Sequence, residues 1–180
     1  MSWARLAVAG GERFDVLDEG SGDSVVFIQT ALVADELCPM ASRLPDRFRT
    51  ILYHRRGYGS SCPATSPGSI ARDAADCRGV LDIMEISRAH IVGLSYSAAV
   101  AMQLAVDAPE TVHTMTLVEP PPVHVPSGVE FRAVNETLLA IRRADGLEAA
   151  LEEFMAMVGR PTLAHRHGGA PGRLRRADRT

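Results

Sequence analysis

Apolar and polar positions along the first two thirds of the chain switch repeatedly between two periods. Ala4–Ala9 and Arg13–Glu19 read as short extended segments on either side of Gly10-Gly11, a hairpin signal. Val25-Val26-Phe27-Ile28 is apolar at every position, as a strand buried on both faces requires. A helical period follows over Asp35–Leu44, ended by Pro45, and a strand returns at Phe48–Tyr53. Gly57 to Gly68 is a Gly/Ser/Pro loop. Ser69 then stands where a cap belongs, and Ile70, Ala74, Cys77, Leu81 and Met84 share one face of the helix it opens. Ala89–Val92 is the next strand, turning sharply at Gly93. Ser97–Ala108 is a small-residue helix stopped by Pro109, and Val112–Val118 is a further strand. A hairpin followed by βαβαβαβ predicts an α/β fold with a mostly parallel central sheet flanked by helices.

Pro120-Pro121-Pro122 interrupts the alternation, so residues 1–122 are expected to form the core. Two amphipathic helices follow, over Val129–Ala144 and Leu147–Val158, with no strand between them. Residues 123–160 are therefore expected to form a partial helical cap outside the sheet. From 161 to 180 the character changes again: the segment is rich in Arg, Gly and His, nearly devoid of apolar residues, and carries +4 against −7 for residues 1–160. Such a composition predicts disorder. The chain contains no lysine, all 19 Lys+Arg residues being arginine. That points to GC-rich coding DNA and to an out-of-frame tail; the alternative is a basic tail that binds an anionic partner.

The formal net charge of −3 gives no electrostatic case for nucleic acid or an anionic membrane surface. No apolar run is long enough to span a bilayer, and the N-terminus lacks a secretory pattern. The 3 cysteines, Cys38, Cys62 and Cys77, are widely spaced, which argues against a disulfide framework or a zinc site and predicts a cytoplasmic protein. No cofactor or metal is expected. Gly57-Tyr58-Gly59 follows a strand, but Cys62 stands where a dinucleotide fingerprint needs its third glycine, and the next helix begins too late.

Candidate chemistry centres on Gly93-Leu94-Ser95-Tyr96-Ser97, placed between a strand and a helix. A serine on such a turn is pushed into the open at the top of the sheet, and its neighbours must be small because strand and helix backbones approach closely. Ser97 departs from the glycine that ends the G-x-S-x-G pattern. Three further segments extend the likeness. His54-Arg55-Arg56-Gly57-Tyr58-Gly59-Ser60-Ser61 resembles D-x-R-G-x-G-x-S with His54 in the place of Asp. Asp107-Ala108-Pro109-Glu110-Thr111-Val112 resembles the link Y-P-E-x-V, and Leu117-Val118-Glu119-Pro120 resembles the end of the sixth strand. Over roughly residues 12–160 the chain thus resembles the α/β-hydrolase fold family, serine hydrolase type.

That resemblance implies an acyl-transfer site with Ser95 as nucleophile and an oxyanion hole of two backbone N–H groups, those of Tyr96 and Ala31. The side-chain amide of Gln29 is an alternative donor. Glu119 is the candidate orienting carboxylate, with a solvated glutamate at a strand end as the equally weighted reading. The family histidine follows a last strand that this sequence does not show. His90 and His113 lie at the wrong end of their strands, and His54 reads as a loop hydrogen-bonder. His124, or His165 and His167 in the tail, remain as bases. The expectation is a C-terminally truncated serine hydrolase acting on an ester or similar acyl bond of a small molecule, inactive or weak in this form. The alternative is a non-catalytic module of the same fold that binds a small ligand or a protein. A sheet without its last strands would also expose an edge through which an oligomer could form.

Overall fold

The structure, a computed structural model, describes residues 3–7, 11–122, 125–126 and 128–158. Its strands are β1 (Trp3–Ala7), β2 (Arg13–Glu19), β3 (Ser24–Ile28), β4 (Arg49–Tyr53), β5 (Ala89–Leu94) and β6 (Val112–Val118). Its helices are α1 (Cys38–Ala41), α2 (Ile70–Ile83), α3 (Tyr96–Asp107), α4 (Gly128–Asp145) and α5 (Leu147–Val158). The six strands form one sheet in the order β1-β2-β4-β3-β5-β6. β1 and β2 form the antiparallel hairpin, β2 joins β4 antiparallel, and β4, β3, β5 and β6 run parallel. The sheet is mixed, with the parallel part predicted from the βα alternation.

The uninterrupted apolar run of β3 is explained by cover on both faces. Val26 and Ile28 join a cluster with Ile51, Tyr53, Val80 and Leu81 of α2, and Val100 and Leu104 of α3. Val25 and Phe27 point the other way, to Leu37, Ala41 and Leu52. α2 and α3 therefore lie on one face and the α1 segment on the other, as alternate side chains of a strand demand.

The α2 start is as the sequence predicts: Ser69 is extended at the cap position and its Oγ accepts from the Arg72 N–H. The helix expected over Asp35–Leu44 is shorter, reaching only from Cys38 to Ala41. Pro39 sits in its first turn and has no N–H to give a preceding turn, so the helical period of the sequence cannot be realised upstream of it. Leu37 and Ala41 are nevertheless buried.

Contacts divide the chain into two compact units after Pro122. The second contains α4 and α5, which pack on each other and turn at Gly146. The tail expected to be disordered, 161–180, lies outside the described residues, as does His124. Among the described residues no helix is long and apolar enough to cross a membrane.

Leu104 is 1% exposed and Val106 on the same helix 75% exposed. Leu104→Ala is expected to lower the unfolding free energy by about 2–5 kcal/mol, and Val106→Ala to leave it within about 0.5 kcal/mol, in urea titrations.

Candidate active site

Chain direction reverses at the centre of the sheet. β4 lies on one side of β3, and β5 returns to the other side, so the C-terminal ends of β3 and β5 flank a topological switch point. In open α/β sheets that crevice is where ligands bind. Ser95 follows β5 directly, and Ala31 lies three residues past the end of β3; Ile28 and Gly93 are register partners. The two sequence-predicted elements are therefore brought to the same end of neighbouring strands.

Ser95 has φ 53° and ψ −119°, a left-handed backbone that costs a non-glycine residue on the order of 1–3 kcal/mol. The surrounding backbone holds it there. The Ser95 N–H donates to the Val118 carbonyl at 2.8 Å, and the Ser95 carbonyl accepts from the Ala98 N–H at 3.0 Å. Gly93 leaves room for the turn: a Cβ there would lie 2.6 Å from the Ser97 carbonyl oxygen and 2.7 Å from the Ala98 Cα. Ser97, the departure from the glycine pattern, is fully buried and accounts for its hydroxyl. Its Oγ accepts from the Leu94 N–H at 2.9 Å and donates to the Leu94 carbonyl at 3.0 Å. The Ser95 side chain makes no cap bond and the residue is exposed. Tyr96 is the first residue of α3, so its N–H belongs to the free donors at a helix start.

A buried cation organises the facing segment. Arg55 and Asp73 side chains are 8% and 2% exposed, and Arg55 Nη1 donates to Asp73 Oδ2 at 2.5 Å. The other donors of Arg55 reach the β3 exit: Nε gives to the Gln29 carbonyl at 3.0 Å, Nη2 to the Thr30 carbonyl at 2.8 Å, and its backbone N–H to Gln29 Oε1 at 2.8 Å. A trans peptide is planar, so fixing the Thr30 carbonyl also fixes the Ala31 N–H, which points the opposite way. The next carbonyl, that of Ala31, accepts from the Tyr58 hydroxyl at 2.5 Å. Gln29 Nε2 is buried without a partner among the described residues, so it remains available as a donor.

Tyr96 joins this network from the other side. Its hydroxyl donates to Asp73 Oδ2 at 2.9 Å, and its ring lies 4.7 Å from the Arg55 guanidinium carbon. Burial, reinforced by the Asp73 carboxylate, pushes the Tyr96 hydroxyl well above the ordinary phenol range, so it stays a donor. Sequence reasoning missed Asp73 and its pairing with Arg55. The available signal was Asp73 next to Ala74 and one turn from Cys77, on a helix that also buries Asp76.

The remaining candidates separate clearly. Glu119 is exposed, has φ 48°, and follows the residue whose carbonyl holds the Ser95 N–H, so its backbone is adjacent to the elbow. His54 is 6% exposed and stacks on Trp3 at 3.9 Å; its Nε2 lies 3.0 Å from Asp35 Oδ1 and its Nδ1 3.6 Å from Asp15 Oδ2. It is committed to the loop, and Gly59 beside it is required, since a Cβ there would come within 2.2 Å of His54 Nδ1. His90 and His113 contact each other near the N-terminal ends of β5 and β6. The five residues from His90 to Ser95 correspond to about 16 Å of strand. Cys77 is buried and its thiol is pushed up to about 12, while burial also raises Cys38 and Cys62. A cavity of about 540 Å³ is lined by Arg13, Arg56, Ser60 and Cys62 among others, without Ser95, so the elbow is marked by backbone geometry and not by that cavity.

Residues 22–168 match the model of a family described as alpha/beta hydrolase fold. A putative carbamate hydrolase, RutD, of Azorhizobium caulinodans is 36% identical over 80 residues, which are 44% of this chain and 30% of that protein. A 2-hydroxy-6-oxononadienedioate/2-hydroxy-6-oxononatrienedioate hydrolase of a Pseudomonas species is 34% identical over 130 residues, 62% of this chain and 46% of that one. The chain thus spans less than half the length of these curated relatives. Among solved structures, a hydrolase from Pseudomonas aeruginosa superposes with a TM-score of 0.69 at 22% identity, covering 92% of this chain and 64% of that one; this likeness concerns the fold.

Arg55→Met leaves the Asp73 carboxylate buried without a counter-charge and is expected to cost about 3–5 kcal/mol in urea unfolding. Adding Asp73→Leu should recover part of that loss; a double variant as unstable as the single one would refute the charge-pair account.

Proposed function

This chain belongs to the alpha/beta hydrolase fold family, and on that footing we propose that Ser95 is the nucleophile of a hydrolase acting on an ester or similar acyl bond of a small molecule. The observation that carries the reading is the strained, exposed Ser95 at the strand–helix turn, with Tyr96 N–H behind it. In the proposed reaction Ser95 Oγ attacks the acyl carbon. The resulting oxyanion accepts hydrogen bonds from the Tyr96 and Ala31 N–H groups, with Gln29 Nε2 as a further donor. The leaving group departs as the Ser95 ester forms, and water then cleaves that ester to release the acid.

A serine hydroxyl needs a base to take its proton. Among the described histidines, His54 is engaged by Asp35, and His90 and His113 sit at the far ends of their strands. Within this sequence the remaining base candidates are His124, His165 and His167, with Glu119 as the candidate orienting carboxylate. None of these three histidines fills the base role by motif, so turnover is expected to be weak. The helical unit α4–α5, which exposes Val129, Leu139, Leu147 and Met155, is read as a partial helical cap. The second reading is a non-catalytic small-ligand or protein-binding module, favoured by the absence of any Ser95 Oγ partner among the described residues.

Covalent labelling by an activated phosphonate ester, read by intact mass beside a thermal melt, tests this. The folded chain is expected to gain one phosphonyl group, and Ser95→Ala to gain none and to lose residual esterase turnover by roughly 10³-fold or more. A cooperative melt without labelling would reject the catalytic reading in favour of the binding module.

A further inference from the structure

One loop, the one that follows β4, grips the whole segment that follows β3. Arg55 donates to the Gln29 and Thr30 carbonyls, the Tyr58 hydroxyl donates to the Ala31 carbonyl, and His54 Nε2 lies 3.0 Å from Asp35 Oδ1. Between the first and last of these grips the chain is open to solvent, with Ala31, Leu32 and Val33 exposed. Among the described residues no backbone–backbone hydrogen bond holds residues 31–34, and the next one along the chain joins the Cys38 N–H to the Asp35 carbonyl. The Tyr58 hydroxyl is therefore the hydrogen bond that fixes this exposed stretch of backbone.

Its position within the stretch matters. Arg55 holds the peptide before the Ala31 Cα, through the Thr30 carbonyl, and Tyr58 holds the peptide after it, through the Ala31 carbonyl. Both peptides are planar, so the two grips together define the backbone of Ala31 and with it the direction of the Ala31 N–H. With the second grip removed, the chain beyond Ala31 is free to turn and pull on the first. Tyr58 is itself firmly placed. Its N–H donates to the Arg55 carbonyl at 3.1 Å, and its carbonyl accepts from the Ser61 N–H at 3.0 Å. Gly57 and Gly59, with φ 83° and 53°, supply the turns on either side. Its ring centroid lies 5.1 Å from the Arg55 guanidinium carbon, within cation–π range, and the Tyr96 ring lies 4.7 Å from the same carbon. Arg55 thus joins the residue that carries one oxyanion N–H to the residue that steadies the other.

We propose that Tyr58 is a positioning residue of the oxyanion site: its hydroxyl, acting through the Ala31 carbonyl, holds the Ala31 N–H ready for the charge that develops on the acyl oxygen. This role rests on the reading of Ser95 as an acyl-transfer nucleophile. A donor fixed in advance stabilises the transition state without reorganising, whereas a donor on a loose loop has to be ordered at that moment. Loss of the hydroxyl therefore falls on the rate of the chemical step and leaves ground-state binding alone.

The test is phosphonate labelling of the 180-residue chain, resolved into the rate at saturating reagent and the reagent concentration at half-saturation, with a thermal melt of each protein. Tyr58→Phe keeps the ring on Arg55 and removes only the hydroxyl. It is expected to melt as the wild type does, to label roughly tenfold or more slowly at saturation, and to keep the same half-saturation. Backbone 15N relaxation should show Ala31 and Leu32 more mobile in this variant than in the wild type. Equal labelling rates for the two proteins, a deficit confined to half-saturation, unchanged mobility at Ala31 and Leu32, or a deficit that accompanies a lowered melt would each overturn the role of Tyr58 and leave the Ser95 reading standing. A folded wild type that takes no label defeats the Ser95 reading itself, and the role of Tyr58 falls with it.

Discussion

The buried ion pair between Arg55 and Asp73 is the constraint on which the site depends. Neither charge can stay in so dry a place without the other, and a guanidinium has more donors than one carboxylate can use. The surplus donors go to the Gln29 and Thr30 carbonyls at the end of β3, while Asp73 also takes the Tyr96 hydroxyl from the start of α3. One pair thereby ties together the exits of β3 and β4, the first turn of α2 and the first residue of α3. An apolar pair of equal volume could match it in stability, but it could not set the direction of the Thr30 carbonyl and, through the planar peptide, of the Ala31 N–H.

Around that anchor, topology decides where chemistry can occur. β3 and β5 are neighbours because the chain, having laid β4 on one side of β3, crosses back to place β5 on the other, so the segments that follow both strands emerge at one crevice. The elbow supplies exposure there at a local cost in backbone strain, balanced by the packing of Gly93 and the hydrogen bonds of Ser95 and Ser97. Serine in the last position of the motif is compatible with this because its hydroxyl closes on both backbone groups of Leu94, which a glycine would leave to other partners.

Much of this was legible in the sequence. Period and punctuation identify the strands, the α2 cap and the elbow, since each rests on local rules: alternation, a cap serine, glycine where backbones meet. The α1 segment was misread as a longer helix because the apolar spacing that buries Leu37 and Ala41 is also satisfied by turns leading into one helical turn, and Pro39 decides between them. The role of Arg55 was not legible in full. Its place in an R-G loop was visible, but its partners lie 18 to 26 residues away, and only the fold brings Asp73, Gln29 and Thr30 to it. Burial of His54 is of the same kind, since it depends on Trp3 and Asp15 across the hairpin.

β6 and the Ser95 turn are not independent. The Ser95 N–H is held by the Val118 carbonyl, and Val118 is the last residue of β6. Strand ends open more readily than strand middles. Each opening at that end releases the hydrogen bond that helps hold Ser95 in a backbone conformation it would not adopt alone. Whatever stiffens the end of β6 therefore acts on the serine through a single carbonyl.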